Sequence, residues 1–147
     1  MKQNSMRPNA RAIMKGGEAF PEIKGEVLFF QRKCAVIVTA RISGLPKNDS
    51  GFYGFHIHEG NGCGGENYQE SGSHYNPKDK PHPKHSGDLP PLLFCSGNAC
   101  MEVKTDRFNV REIIGRTVII HLKTDDFSTQ PSGNAGEKIA CGIIRRV

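Results

Sequence analysis

Apolar and polar residues trade places at period two in eight short runs, the mark of strands with one buried face. The runs fall near residues 11–16, 23–32, 33–44, 51–58, 91–96, 99–107, 116–122 and 138–145. Turn-forming clusters separate them, among them Lys15-Gly16-Gly17, Gly44-Leu45-Pro46, Ser96-Gly97-Asn98 and Pro131-Ser132-Gly133. Asn109 to Gly115 reads as a short helical turn, and two segments without period, 59–90 and 123–137, read as loops. This pattern predicts an all-β chain: an eight-stranded Greek-key β-barrel or sandwich, immunoglobulin-like, with a long loop. A structureless loop of about 30 residues is uncommon in a compact domain unless it is functional or clamped. A flexible segment, residues 1–10, precedes a single domain over 11–147.

The 147 residues suffice for one buried core, and 17 Gly with nine Pro suit a loop-rich β fold. No run approaches the roughly 20 apolar residues of a membrane helix, so no membrane partner is expected. The net charge of +5 is spread along the chain without a basic run or an aromatic platform. That excludes nucleic acid as the expected partner and favours attraction of a small anion. Met1 to Ala10 lack the apolar centre of a signal peptide, which leaves two compartments open: the cytoplasm, or an extracytoplasmic one reached by a removed leader. Monomer and homodimer are equally compatible with the sequence. Five cysteines is an odd number, so at least one stays unpaired within the chain. Cys34 alternates with Val36 and Val38 and is expected as a buried apolar thiol.

Histidine placement changes the picture most. His56, His58, His74, His82 and His85 lie in one stretch ending at Asp88, and the sixth, His121, closes an apolar run. On a strand, His56 and His58 project together while Phe55 and Ile57 point the other way. His121 shares its face with Thr117 and Ile119, so a third imidazole can join the pair. Such nitrogen-rich sites suit Cu(II). His82, His85 and Asp88 stand three residues apart in a loop and need one more ligand for a four-coordinate zinc, for which His74 is placed. Two four-coordinate sites need eight ligands, and these residues supply seven, so one imidazole is expected to serve both ions. His74 lies between the two sets.

Gly54-Phe-His-Ile-His-Glu59, His74-Tyr-Asn-Pro77, His85-Ser-Gly-Asp-Leu89, Gly115-Arg-Thr-Val-Ile-Ile-His121 and Gly133-Asn-Ala-Gly-Glu-Lys-Ile-Ala-Cys-Gly142 together resemble the copper/zinc superoxide dismutase family, in the family's order. The resemblance implies copper at His56, His58, His74 and His121, and zinc at His74, His82, His85 and Asp88. It also implies a carboxylate, Asp125, linking ligands of both ions, and a disulfide between Cys63 and Cys141. Where the family has an arginine beside the copper, this chain has Lys138, and the zinc loop keeps only Pro83 and Lys84 between His82 and His85.

A second bridge, Cys95 to Cys100 across the Ser96–Ala99 turn, and two free thiols are both compatible with the spacing. The implied activity is conversion of superoxide to dioxygen and hydrogen peroxide by copper redox cycling, with structural zinc, proton delivery by His74 and anion attraction by Lys138. The alternative is a non-enzymatic copper/zinc-binding protein on the same fold. A zinc hydrolase with Glu59 as base is the weaker third reading.

Overall fold

The computed structural model describes residues 6–147. In chain order its strands are β1 (Ala10–Gly16), β2 (Lys24–Gln31), β3 (Val36–Ser43), β4 (Phe52–Tyr53), β5 (Phe55–His58), β6 (Leu92–Leu93), β7 (Ala99–Thr105), β8 (Thr117–His121) and β9 (Lys138–Arg146). A short α-helix, α1 (Val110–Ile113), precedes β8, and a 3-10 segment spans Glu66–Ser71 in the long loop. Seven strands form a single antiparallel sheet in the spatial order β5-β8-β9-β1-β2-β3-β7. The sheet curls into a half-barrel, and a two-stranded ladder of β4 and β6 joins its ends, since β4 runs into β5 and β6 into β7. The final strand returns beside the first, and β7 pairs with β3 across three intervening strands of the chain.

Period two explains the core. Ala10, Ala12 and Met14 of β1 point inward between exposed Arg11, Ile13 and Lys15, and Phe29, Val36, Val38, Phe55, Ile57, Val118, Ile120 and Ile144 complete the interior. Burying Phe55 and Ile57 contributes about 1.5–3 kcal/mol each. That burial fixes the register of β5 and turns its two histidines to the opposite face, because a one-residue slip would exchange the faces.

The structure shortens some predicted strands. The 51–58 run breaks at Gly54, whose N–H reaches Lys123 and whose carbonyl receives the His121 N–H, so the chain changes partner from β6 to β8 there. A Cβ at Gly54 would lie 2.7 Å from Ala135 Cβ, which is why glycine stands at this corner. Within 91–96 only Leu92–Leu93 is strand, its pairing with β4 ending in the Phe94 N–H bond to the Gly51 carbonyl before the Cys95–Asn98 turn. Helix α1 lies where a helical turn was expected, with Asn109 and Glu112 forming a capping box. Of the segment 1–10, residues 1–5 lie outside the described residues; Asn9 is bonded to Phe29 and Gln31, and Ala10 already belongs to β1.

One cysteine expectation is corrected, and one pair of alternatives is decided. Cys34 is exposed, because β3 begins only at Val36 and Cys34 sits in the turn closed by the Arg32 N–H to the Ala35 carbonyl. Cys95 and Cys100 form no second disulfide. Both are free and exposed on a hairpin whose Cys95–Asn98 pairing and left-handed Ser96 and Gly97 make the turn unaided.

Candidate metal centre

Phe55, His56, Ile57 and His58 pair with Ile120, Ile119, Val118 and Thr117 of β8. Parity with Thr117 and Ile119 puts His121 on the same side, and a register shift against β9 sets it opposite Lys138. The outer edge of β5 is covered by loop backbone. Ile57 gives its N–H to Gly87 and receives that of Tyr75, while His58 bridges to His74 and His56 to Asp88. Gly87 must be glycine, since a Cβ there would lie 2.2 Å from the Ile57 carbonyl oxygen. The loop therefore lies against the strand and brings its ligands to the two strand histidines.

Four imidazoles gather there, from His56, His58, His74 and His121, each offering one ring nitrogen within 4.8 Å of the others. Their remaining nitrogens are held. His58 Nδ1 donates to the Gly72 carbonyl at 2.7 Å, His121 Nδ1 to the Gly136 carbonyl at 3.1 Å, and His56 Nε2 to Asp125 Oδ2 at 2.7 Å. The nitrogens left without a partner are His56 Nδ1, His58 Nε2, His74 Nε2 and His121 Nε2, all buried. An unpaired buried polar atom costs about 1–3 kcal/mol, so four together call for a shared partner. Burial pushes His56 down to about 4 and His121 down to about 3, and holds His58 well below its ordinary value. All three imidazoles are neutral at neutral pH, the form that binds a metal. Their donor set fits one cation.

The second group joins His74, His82, His85 and Asp88, again within 4.8 Å. Nδ1 of each histidine turns to the Asp88 carboxylate: His74 at 2.8 Å from Oδ1, and His82 and His85 at 3.0 and 3.2 Å from Oδ2. Three imidazole nitrogens and one carboxylate oxygen are the donor set of four-coordinate zinc. His74 presents Nδ1 to this group and Nε2 to the other, with its ring centroid 4.0 Å from that of His56. It is the one residue common to both sets of four. Burial works to raise the Asp88 carboxyl, but the His74 hydrogen bond and nearby imidazoles outweigh it and keep the group below the usual carboxylate value.

Asp125 ties the two groups together. Its Oδ2 accepts from His56 Nε2 and its Oδ1 from His82 Nε2, both at 2.7 Å, and the Phe127 N–H adds a third bond. These bonds overcome burial and hold the carboxyl well below the usual carboxylate range. His56, His82 and Asp125 are thus a hydrogen-bonded trio that fixes ring orientation, as carboxylates behind metal-binding histidines do. Gly133 packs over it: a Cβ there would fall 2.0 Å from Asp125 Oδ1, and its φ of +71° suits glycine.

Three supporting residues had no sequence signal. Arg107 Nη1 donates to the carbonyls of Pro83 and His85, at 2.7 and 3.2 Å, strapping the loop from behind. Gln130 clasps the His82 backbone, accepting its N–H at 2.9 Å and donating to its carbonyl at 2.8 Å. Arg116 lies 4.2 Å from the Tyr75 ring centroid and donates to the Glu59 carbonyl. Glu59 is exposed and belongs to neither histidine group.

Lys138 starts β9 opposite His121. Its ammonium is half-buried and anchored to Ser71 Oγ at 2.8 Å and the Gly72 carbonyl at 3.2 Å, the carbonyl that also receives His58. Burial lowers its pKa below the ordinary lysine value. Its charge is therefore fixed beside the first histidine group rather than swinging on a free stem. Cys63 and Cys141 form a disulfide that ties the 59–90 loop to β9 across 78 residues of chain.

The family model described as copper/zinc superoxide dismutase matches residues 23–144. A curated relative, "Superoxide dismutase [Cu-Zn] 2" of Aquifex aeolicus (strain VF5), is 31% identical over 139 aligned residues, covering 84% of this chain and 80% of the relative. Family, fold, disulfide and the two histidine groups agree, and the family implies copper and zinc. The chain belongs to the copper/zinc superoxide dismutase family.

Proposed function

We propose that this protein dismutates superoxide, with His56, His58, His74 and His121 holding copper and His74, His82, His85 and Asp88 holding zinc. The observation that carries the reading is the set of four buried imidazoles whose unpartnered nitrogens converge. When bound, copper supplies a one-electron couple that oxidises one superoxide and reduces the next. Two superoxide anions and two protons then yield one dioxygen and one hydrogen peroxide. His74 is the proton carrier: with Nδ1 engaged beside Asp88, its Nε2 takes up a proton in one half-cycle and gives it to the departing peroxide in the other. His58 and His121, anchored through Nδ1 to backbone carbonyls, keep their Nε2 lone pairs fixed. Lys138 draws the anion to this face, and the net charge of +5 assists at longer range.

Protein loaded with copper and zinc is expected to accelerate superoxide decay, followed directly after pulse generation of the anion. Decay no faster than that given by copper on an unrelated protein would leave a non-enzymatic metal-binding protein as the reading. Lys138→Ala is expected to lower kcat/KM about tenfold and to flatten its dependence on salt, since steering by a charge is lost as ions screen it. Lys138→Arg should recover most of the rate. Unchanged kinetics in Lys138→Ala would remove the ammonium from the mechanism.

A further inference from the structure

Away from the histidine groups, the fold gathers cations that the sequence scatters. A groove of about 600 Å³ at one end of the barrel is lined by Arg7 before β1, Arg32 and Lys33 in the β2–β3 turn, Arg111 on α1 and Arg146 at the end of β9. A second groove of about 670 Å³ continues from the same Arg32 and Lys33 to Lys104. Among the described residues, none of these six cations lies within 4.0 Å of a carboxylate. Acidic groups are few here. Asp106 lines the second groove, and the Glu112 carboxylate is taken up by the Asn109 N–H. Close, unneutralised cations repel one another, a cost that an anionic occupant would reverse.

The shape narrows the occupant. The two grooves share a wall and together greatly exceed the volume of one phosphate or sulfate, so a chain of anionic groups fills them and a single ion does not. No Phe or Tyr lines either groove, so bases have nothing to stack on and a nucleic acid gains only its backbone charge. We propose that this basic track binds a linear polyanion, a flexible chain of closely spaced phosphates or sulfates. The site is independent of the metal centre, and its test does not depend on superoxide activity.

Binding of inorganic polyphosphate and of dextran sulfate to the metal-loaded protein, measured by fluorescence anisotropy or calorimetry, tests this. At least one polymer should bind, with log K falling against log salt at a slope of about −3 to −4 for four to six neutralised groups. The tighter polymer identifies phosphate or sulfate as the favoured group. Lys33→Glu with Arg111→Glu, two exposed side chains that make no hydrogen bond among the described residues, should weaken binding at least about tenfold while metal content stays unchanged. The control is Lys15→Glu with Lys24→Glu, the same charge change at the far end of β1 and β2, which should weaken it less than about threefold. Equal loss in control and test variants would reduce the effect to net charge and overturn the proposal. So would failure of both polymers to bind at low salt, or preferential binding of phosphatidylserine vesicles or oligo-dT.

Discussion

Replacing His74 by alanine is expected to lower affinity for zinc and copper in one step, and to abolish measurable acceleration of superoxide decay. The side chain sits with Nδ1 2.8 Å from Asp88 Oδ1 and 3.2 Å from His85 Nδ1, while Nε2 is buried without a partner among the other histidines. Its removal takes one donor from each set of four. Loss of a group behind a metal ligand typically costs 10–100-fold in affinity, so loss of a ligand itself should cost at least about 100-fold at each site. His85→Ala provides the contrast, because His85 belongs to the second histidine group alone. It should weaken zinc strongly and copper only through slackening of the loop. Zinc and copper titrations of both variants, monitored by competition with chelators, give the comparison. If His74→Ala keeps zinc at its original affinity, the shared imidazole is wrong. If it keeps copper, the copper set is His56, His58 and His121 without it.

Much of this arrangement could be read from the sequence because strands impose parity. Phe55 and Ile57 had to enter the core, which put His56 and His58 on the other face, and the same parity put His121 with Thr117 and Ile119. Parity failed where a strand had not begun: Cys34 has the same parity as Val36 but lies in the preceding turn, exposed. The grouping of His74, His82, His85 and Asp88 was legible because their spacing in one loop leaves few other partners. Contacts made by a side chain far away in sequence to a bare backbone group left no trace. Arg107 donates across more than 20 residues to the carbonyls of Pro83 and His85, and Gln130 reaches 48 residues back to His82. Neither residue type is unusual on a surface. The basic track is a similar case, since Arg7, Arg32, Arg111 and Arg146 become neighbours only when the ends of β1, β2 and β9 meet α1. What was legible, then, were face assignments and the gathering of the histidines; what was not were contacts between common surface residues and distant backbone.

Opening the Cys63–Cys141 bridge is expected to produce the largest stability change of any single alteration outside the core. The sequence separation of 78 residues makes the cross-link a strong restriction on the unfolded chain, worth about 4.5 kcal/mol in the chain-entropy model. For a chain of this size that corresponds to a fall in Tm of about 10–18 °C. The effect should reach the metal centre as well. Cys63 lies in the loop whose later residues, Tyr68 to Gly72, supply the carbonyls and the hydroxyl that hold Lys138 and His58. Cys141 lies in β9, three residues after Lys138 and opposite Ile119 on β8. The bridge therefore fastens both partners of the Lys138 anchor to one strand. Cys63→Ser with Cys141→Ser should melt at lower temperature and also lose part of its salt-dependent rate, because an untethered loop no longer fixes the ammonium. Calorimetry of the metal-loaded variant with stopped-flow kinetics at two ionic strengths separates the effects. A lowered Tm with unaltered salt dependence would confine the bridge to stability. An unaltered Tm would mean that the metals alone hold the loop to the barrel.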